Sequence, residues 1–119
     1  MKQYKIIQAY RATEELSKNN NHSTEVLWVF YNLRKRLLPH CEFQEEREKA
    51  LKEKYSEYAD EEGKIKGEPY KNYIKEFEEL LNLEKDLGDI KKINLKLQDG
   101  MGITIQMMEA LEDFVNFEK

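Results

Sequence analysis

A chain of 119 residues, 39% apolar and 37% charged, is long enough to bury a core without disulfides or metals and too rich in Leu, Ile, Tyr and Phe to be disordered. Its net charge of −4, from 20 basic and 24 acidic residues, excludes a general nucleic-acid binder, which carries a basic excess, and is too small for a mimic of a phosphate backbone. The lone Cys41 excludes an internal disulfide, and no basic-then-apolar leader precedes the first helix, so a reducing intracellular setting is expected.

Taken in chain order, residues 4–18 place Ile6, Ala9, Thr13 and Leu16 at helical spacing, with Tyr10 beside them. The triplet Asn19, Asn20, Asn21 reads as a turn, and Ser23 or Thr24 offers an N-cap for the next helix. That helix, predicted over 24–58, carries one stripe of Val26, Phe30, Leu33 and Leu37, while Leu27, Trp28, Tyr31 and Leu38 make its other side apolar too. A helix apolar all round is buried or shared with a partner. Pro39 removes a backbone donor, so a kink or short break is expected between Leu38 and Phe43. Beyond it the apolar positions thin out, and Glu45 with Lys49 and Glu48 with Lys52 stand in the order that favours surface ion pairs.

The run from Asp60 to Gly63 reads as a turn, and residues 64–66 as a very short strand before the Pro69 stop. Tyr70, Tyr73, Ile74, Phe77, Leu80, Leu81 and Leu87 predict a helix over 70–87 with Gly88 as its C-cap. The period then changes to two, because Ile93, Leu95 and Leu97 alternate with Asn94 and Lys96, which predicts a strand over 92–97. Residues 64–66 are its expected partner in a small two-stranded ribbon. Ile103, Met107, Leu111, Phe114 and Val115 predict a closing helix over 103–117. The fold expected is α+β and mostly α: a single domain over 1–119, with a bent long helix, antiparallel helices and one ribbon.

One ordered pattern runs through Leu33 to Leu38, Phe43, Glu45-Glu46-Arg47, Leu51 and Glu53-Lys54-Tyr55. It continues through the Asp60 to Gly63 turn with Lys64-Ile65, then Tyr70, Phe77-Glu78-Glu79-Leu80-Leu81, Ile93 to Leu97, Ala110-Leu111-Glu112 and Phe114, and covers roughly residues 25–117. In this order of elements the chain resembles a family of small phage and prophage proteins of low-GC Gram-positive bacteria, a family without an established activity, and the resemblance implies the cytoplasm of a bacterial host as the setting. The chain departs from the family at Trp28 to Tyr31 and at Pro39-His40-Cys41. The resemblance implies a viral origin and supplies no site residues.

No catalytic residues, cofactor or metal site are expected. His40-Cys41 adjoin, but a structural zinc needs about four ligands, and His22 and the carboxylates offer no such set. A Cys-His catalytic pair fails because neighbours in sequence point apart and nothing orients them. Asp60-Glu61-Glu62 lacks the ligand spacing of a calcium loop, and the glycines are scattered at turns rather than gathered into a phosphate cradle. The best candidate surface is Trp28, Tyr31, Arg34, Lys35 and Arg36, near Tyr10, where basic stems either cover an apolar flank or, with the aromatics, form a binding face. A dimer contact is the expected use of the aromatic stripe, so a homo-oligomer is expected. A phage-encoded, non-catalytic protein that binds and inhibits a host component, with a defence system as the target, fits these features. The alternatives are an accessory of virion or tail assembly, binding phage proteins, and an oligomeric sponge for a nucleotide signal. Membrane association and nucleic acid are not expected.

Overall fold

The computed structural model describes residues 1–119 except 20, 90 and 119, so the Asn20 part of the predicted first turn lies outside the described residues. Four α-helices and a small two-stranded sheet are present among the described residues, an α+β fold dominated by helix. Helix α1 (Gln3–Ser17) turns back through Asn19 and Asn21 into α2 (Thr24–Lys54). The Ser23 side chain caps α2 by accepting from the Val26 N–H at 3.3 Å. A short 3-10 turn (Ser56–Tyr58) leads to α3 (Glu68–Leu81), followed by β1 (Ile93–Lys96), α4 (Ile105–Leu111) and β2 (Val115–Glu118).

The helical stripes read from the sequence form the core. Ile6, Ala9, Thr13 and Leu16 of α1 and Val26, Phe30, Leu33 and Leu37 of α2 are all buried, and Leu95, Met101, Leu111, Phe114 and Val115 close the same cluster from the C-terminal side. A second, smaller cluster of Leu51, Tyr55 and Leu80, flanked by Phe43, Ile65, Tyr73 and Phe77, joins the far half of α2 to α3. Two clusters along one helix make the molecule a head with an arm, 51 × 31 × 21 Å in extent with a radius of gyration of 17.6 Å.

Four predicted boundaries or pairings are corrected. First, α2 runs through Pro39 without a break and ends at Lys54 rather than residue 58. Pro39 is exposed, so the Lys35 carbonyl that loses its helical partner lies on a side water can reach. Second, α3 stops at Leu81 rather than 87. The segment that would continue it is taken up by the N-terminal segment: Gln3 N–H donates to the Leu83 carbonyl at 2.9 Å and Lys2 bridges Glu84. Gly88 consequently caps no helix, although its φ of +70° uses its freedom in a loop where its N–H donates to Asp86.

Third, the partner of β1 is β2, in parallel register from Ile93 opposite Val115 to Lys96 opposite Glu118, and not residues 64–66. The Asp60 carboxylate accepts from the N–H groups of Glu62 and Lys64, and Ile65 bridges Ala59, so that segment is consumed by its own turn. Fourth, the closing helix is Ile105–Leu111, not 103–117, because residues 115–118 form β2. Leu111, Phe114 and Val115 satisfy a helical spacing, but Val115 and Phe117 turn inward around an exposed Asn116, the period of a strand. Parallel strands need a crossover, and α4 supplies it. The expected surface pairs Glu45 with Lys49 and Glu48 with Lys52 are also absent; Glu48 instead accepts from the Gln44 amide at 3.3 Å.

Candidate functional site

Helix α2 buries one face against α1 and leaves the adjoining one open, and the open face carries the apolar residues that made the helix read as greasy all round. Trp28 is 63% exposed, Tyr31 54%, Leu38 39% and Leu27 38%, too much contiguous apolar surface for a helix with no further partner. Because α1 runs antiparallel beside α2, this face becomes one wall of a groove of about 490 Å³ lined by Leu27, Tyr31, Arg34, Lys35 and Leu38 of α2 and by Tyr10 and Ser17 of α1.

Along the groove and beside it, with Trp28 standing outside the lining, the aromatic and basic residues are arranged against each other. Trp28 and Tyr31, three positions apart, stack with ring centroids 5.6 Å apart and planes at 24°. The Arg34 guanidinium carbon lies 4.9 Å from the centre of the Tyr10 ring, and its Nη2 donates to the Tyr10 hydroxyl at 3.2 Å. Its Nε is buried and has no partner. Among the described residues no carboxylate forms an ion pair with Arg34, Lys35 or Arg36.

Of the five residues singled out from the sequence, the structure gathers Trp28, Tyr31, Arg34 and Lys35. Arg36 does not join them: at 3.6 residues per turn it sits about 160° round the helix from Leu38, on the opposite flank, and it does not line the groove. Sequence reading missed Ser17, which stands seven residues from Tyr10 and therefore on the same face of α1. It also missed a second cleft, of about 540 Å³, at the tip of the arm, where Lys64, Ile65 and Lys66 meet Tyr70 and Tyr73. The alternation of residues 64–66 masked it, since such a pattern reads as a strand first.

The groups considered for chemistry lie elsewhere. His22 is buried, its Nε2 lies 2.7 Å from the Leu16 carbonyl and its ring meets Phe30 edge-on at 5.5 Å, the place of a core side chain. Among the described residues no three His, Cys, Asp or Glu side chains gather closely enough to hold a metal ion. Desolvation, helped by the Lys85 charge, holds His40 below the usual imidazole range. Burial first, and then Glu45, push the Cys41 thiol up from 9.0 to about 11 against the pull of Arg11. The smaller thiolate fraction, partly offset by the greater nucleophilicity of a more basic thiolate, predicts that at pH 8 Cys41 reacts with Ellman's reagent about tenfold more slowly in the folded protein than in denaturant. Equal rates would show that the thiol is open to solvent.

At the arm, the Glu76 carboxylate accepts from both Lys54 Nζ and the Tyr55 hydroxyl at 2.6 Å, and these bonds hold its carboxyl below the usual range. These bonds brace the C-terminal end of α2 against α3. No helix among the described residues is long and apolar enough to cross a membrane. In comparisons with family models, curated proteins and solved structures, the chain matches none.

Proposed function

We propose that the protein acts by binding another protein rather than by catalysis, as a phage-encoded inhibitor of a host component, with a defence system as the target class. The observation that carries this reading is the exposed strip of Leu27, Trp28, Tyr31 and Leu38 beside the unneutralised Arg34 and Lys35. Aromatic residues and arginine dominate the binding energy of protein interfaces, the aromatics because they bury large areas at low entropic cost and arginine because its planar guanidinium makes several directed hydrogen bonds, and here both stand on one flank of α2. Viral origin rests on the resemblance of residues 25–117 to the phage family. A homo-oligomer formed through the strip would cover the same apolar surface and so compete with such a partner.

The test is capture from host lysate by the tagged chain and by a Trp28→Ala/Tyr31→Ala variant, with and without phage infection, read by mass spectrometry. A single host protein retained at near-equal amounts by the wild type in both lysates, and lost with the variant, is the expected result. Phage structural proteins recovered only after infection would replace the inhibitor with an assembly accessory. Turnover of a nucleotide or nucleic acid by the pure protein would overturn the non-catalytic reading.

A further inference from the structure

The strip on α2 has a regular spacing: Trp28, Tyr31, Lys35 and Leu38 follow one another at steps of three, four and three. Such alternation keeps side chains in line along a helix and is the spacing by which one helix seats another. From Leu27 to Leu38 the wall is about 16 Å long at 1.5 Å per residue, three helical turns, and α1 faces it at Tyr10 and Ser17, about 10 Å apart along their own helix. A two-walled groove with anchors at this spacing is the shape into which an amphipathic helix lays its apolar face.

Charge narrows the occupant. Arg34 reaches only the Tyr10 hydroxyl and ring, and its buried Nε is orphaned. Covering this guanidinium with apolar residues removes its water without giving it an acceptor, which is costly, whereas an arriving carboxylate satisfies it. A second copy of the chain pairing through the same strip does not supply one. In the antiparallel pairing that sets Trp28 on Leu38, Arg34 approaches its own counterpart and Lys35 faces Tyr31; in a parallel pairing Arg34 and Lys35 each meet their counterparts. Either way cations are gathered with no acid between them.

We propose that the α1–α2 groove seats a single amphipathic α-helix of a partner protein, whose apolar residues lie on Trp28, Tyr31 and Leu38 and whose carboxylates meet Arg34 and Lys35. This rests on the reading of the strip as a protein-binding surface and specifies the partner's structure and charge.

The experiment is a display selection of 16-residue helical peptides, randomised at exposed positions, on the full-length chain, with counter-selection on Trp28→Ala/Tyr31→Ala. Circular dichroism checks that every variant folds. The expected clones carry apolar residues at i, i+3 or i+4 and i+7 flanked by Asp or Glu. A consensus clone measured by fluorescence anisotropy loses at least tenfold in affinity to Arg34→Ala/Lys35→Ala. Selection on Arg34→Glu/Lys35→Glu is expected to return basic helices instead. Clones with no helical period, clones without acids, or affinity indifferent to the charge reversal would overturn the proposal. So would a dimer of the chain itself, seen by sedimentation equilibrium, that Trp28→Ala abolishes. If lysate capture yields a Trp28-dependent partner but selection yields no acidic helix, the helix seat falls while the binding reading stands. Selected helices without any lysate partner would give the reverse.

Discussion

Replacing Phe30 with alanine is expected to lower stability by about 3–5 kcal/mol, measured as a shift of the urea unfolding midpoint. Phe30 is fully buried at the centre of the main cluster, where α1, the N-terminal half of α2 and the C-terminal elements converge. Its edge contact with His22 cannot follow a collapsing cavity, because the imidazole is tied to the Leu16 carbonyl at 2.7 Å. Removing the ring therefore leaves a void that rigid helices surround on several sides, the circumstance in which truncation costs most. A loss below about 1 kcal/mol would mean that the cluster repacks freely.

Replacing Pro39 with alanine is expected to do the opposite and raise stability by about 1–3 kcal/mol, read as a higher midpoint of thermal unfolding by circular dichroism. Pro39 stands in the interior of the 31-residue α2, where it denies the Lys35 carbonyl its N–H donor, and being exposed it contributes no core packing that alanine would forfeit. One tertiary contact lies beside it: the buried Gln3 amide donates to the His40 carbonyl at 2.8 Å. If the substitution instead destabilised the protein, the proline would be setting the path of α2 so that α1 can reach His40 while α3 reaches Leu51.

The helices were legible where a stripe was long. Ile6 through Leu16 and Val26 through Leu37 fixed two helices and most of their buried faces, since each repeats over three or more turns. Errors gathered where short segments had to choose partners. Leu111, Phe114 and Val115 fit a helix as well as a strand, and only the presence of Ile93 to Lys96 alongside decides for β2. Likewise nothing local tells residues 82–85 to leave α3, because the competing hydrogen bonds come from the N-terminal segment, about eighty residues away. At the candidate site, Trp28 stacks on Tyr31, and Tyr31, Arg34 and Lys35 line one groove. Including Arg36 came from adjacency in sequence, which on a helix places a residue about 100° away from the one before it. The stacking of Arg34 on Tyr10 depends on how α1 lies against α2, and no spacing within either helix encodes it.

The arm formed by the far half of α2 with α3 alters how the molecule moves through solution. A compact chain of 119 residues would have a radius of gyration of about 13–14 Å, against 17.6 Å here. A monomer of this shape drags more solvent than a sphere of its mass, so on a gel-filtration column calibrated with globular standards it will elute early, in the region of a larger species. Elution volume alone would then not tell an elongated monomer from a compact dimer, and the number of chains in solution has to come from light scattering or sedimentation equilibrium, which weigh the particle without assuming its form.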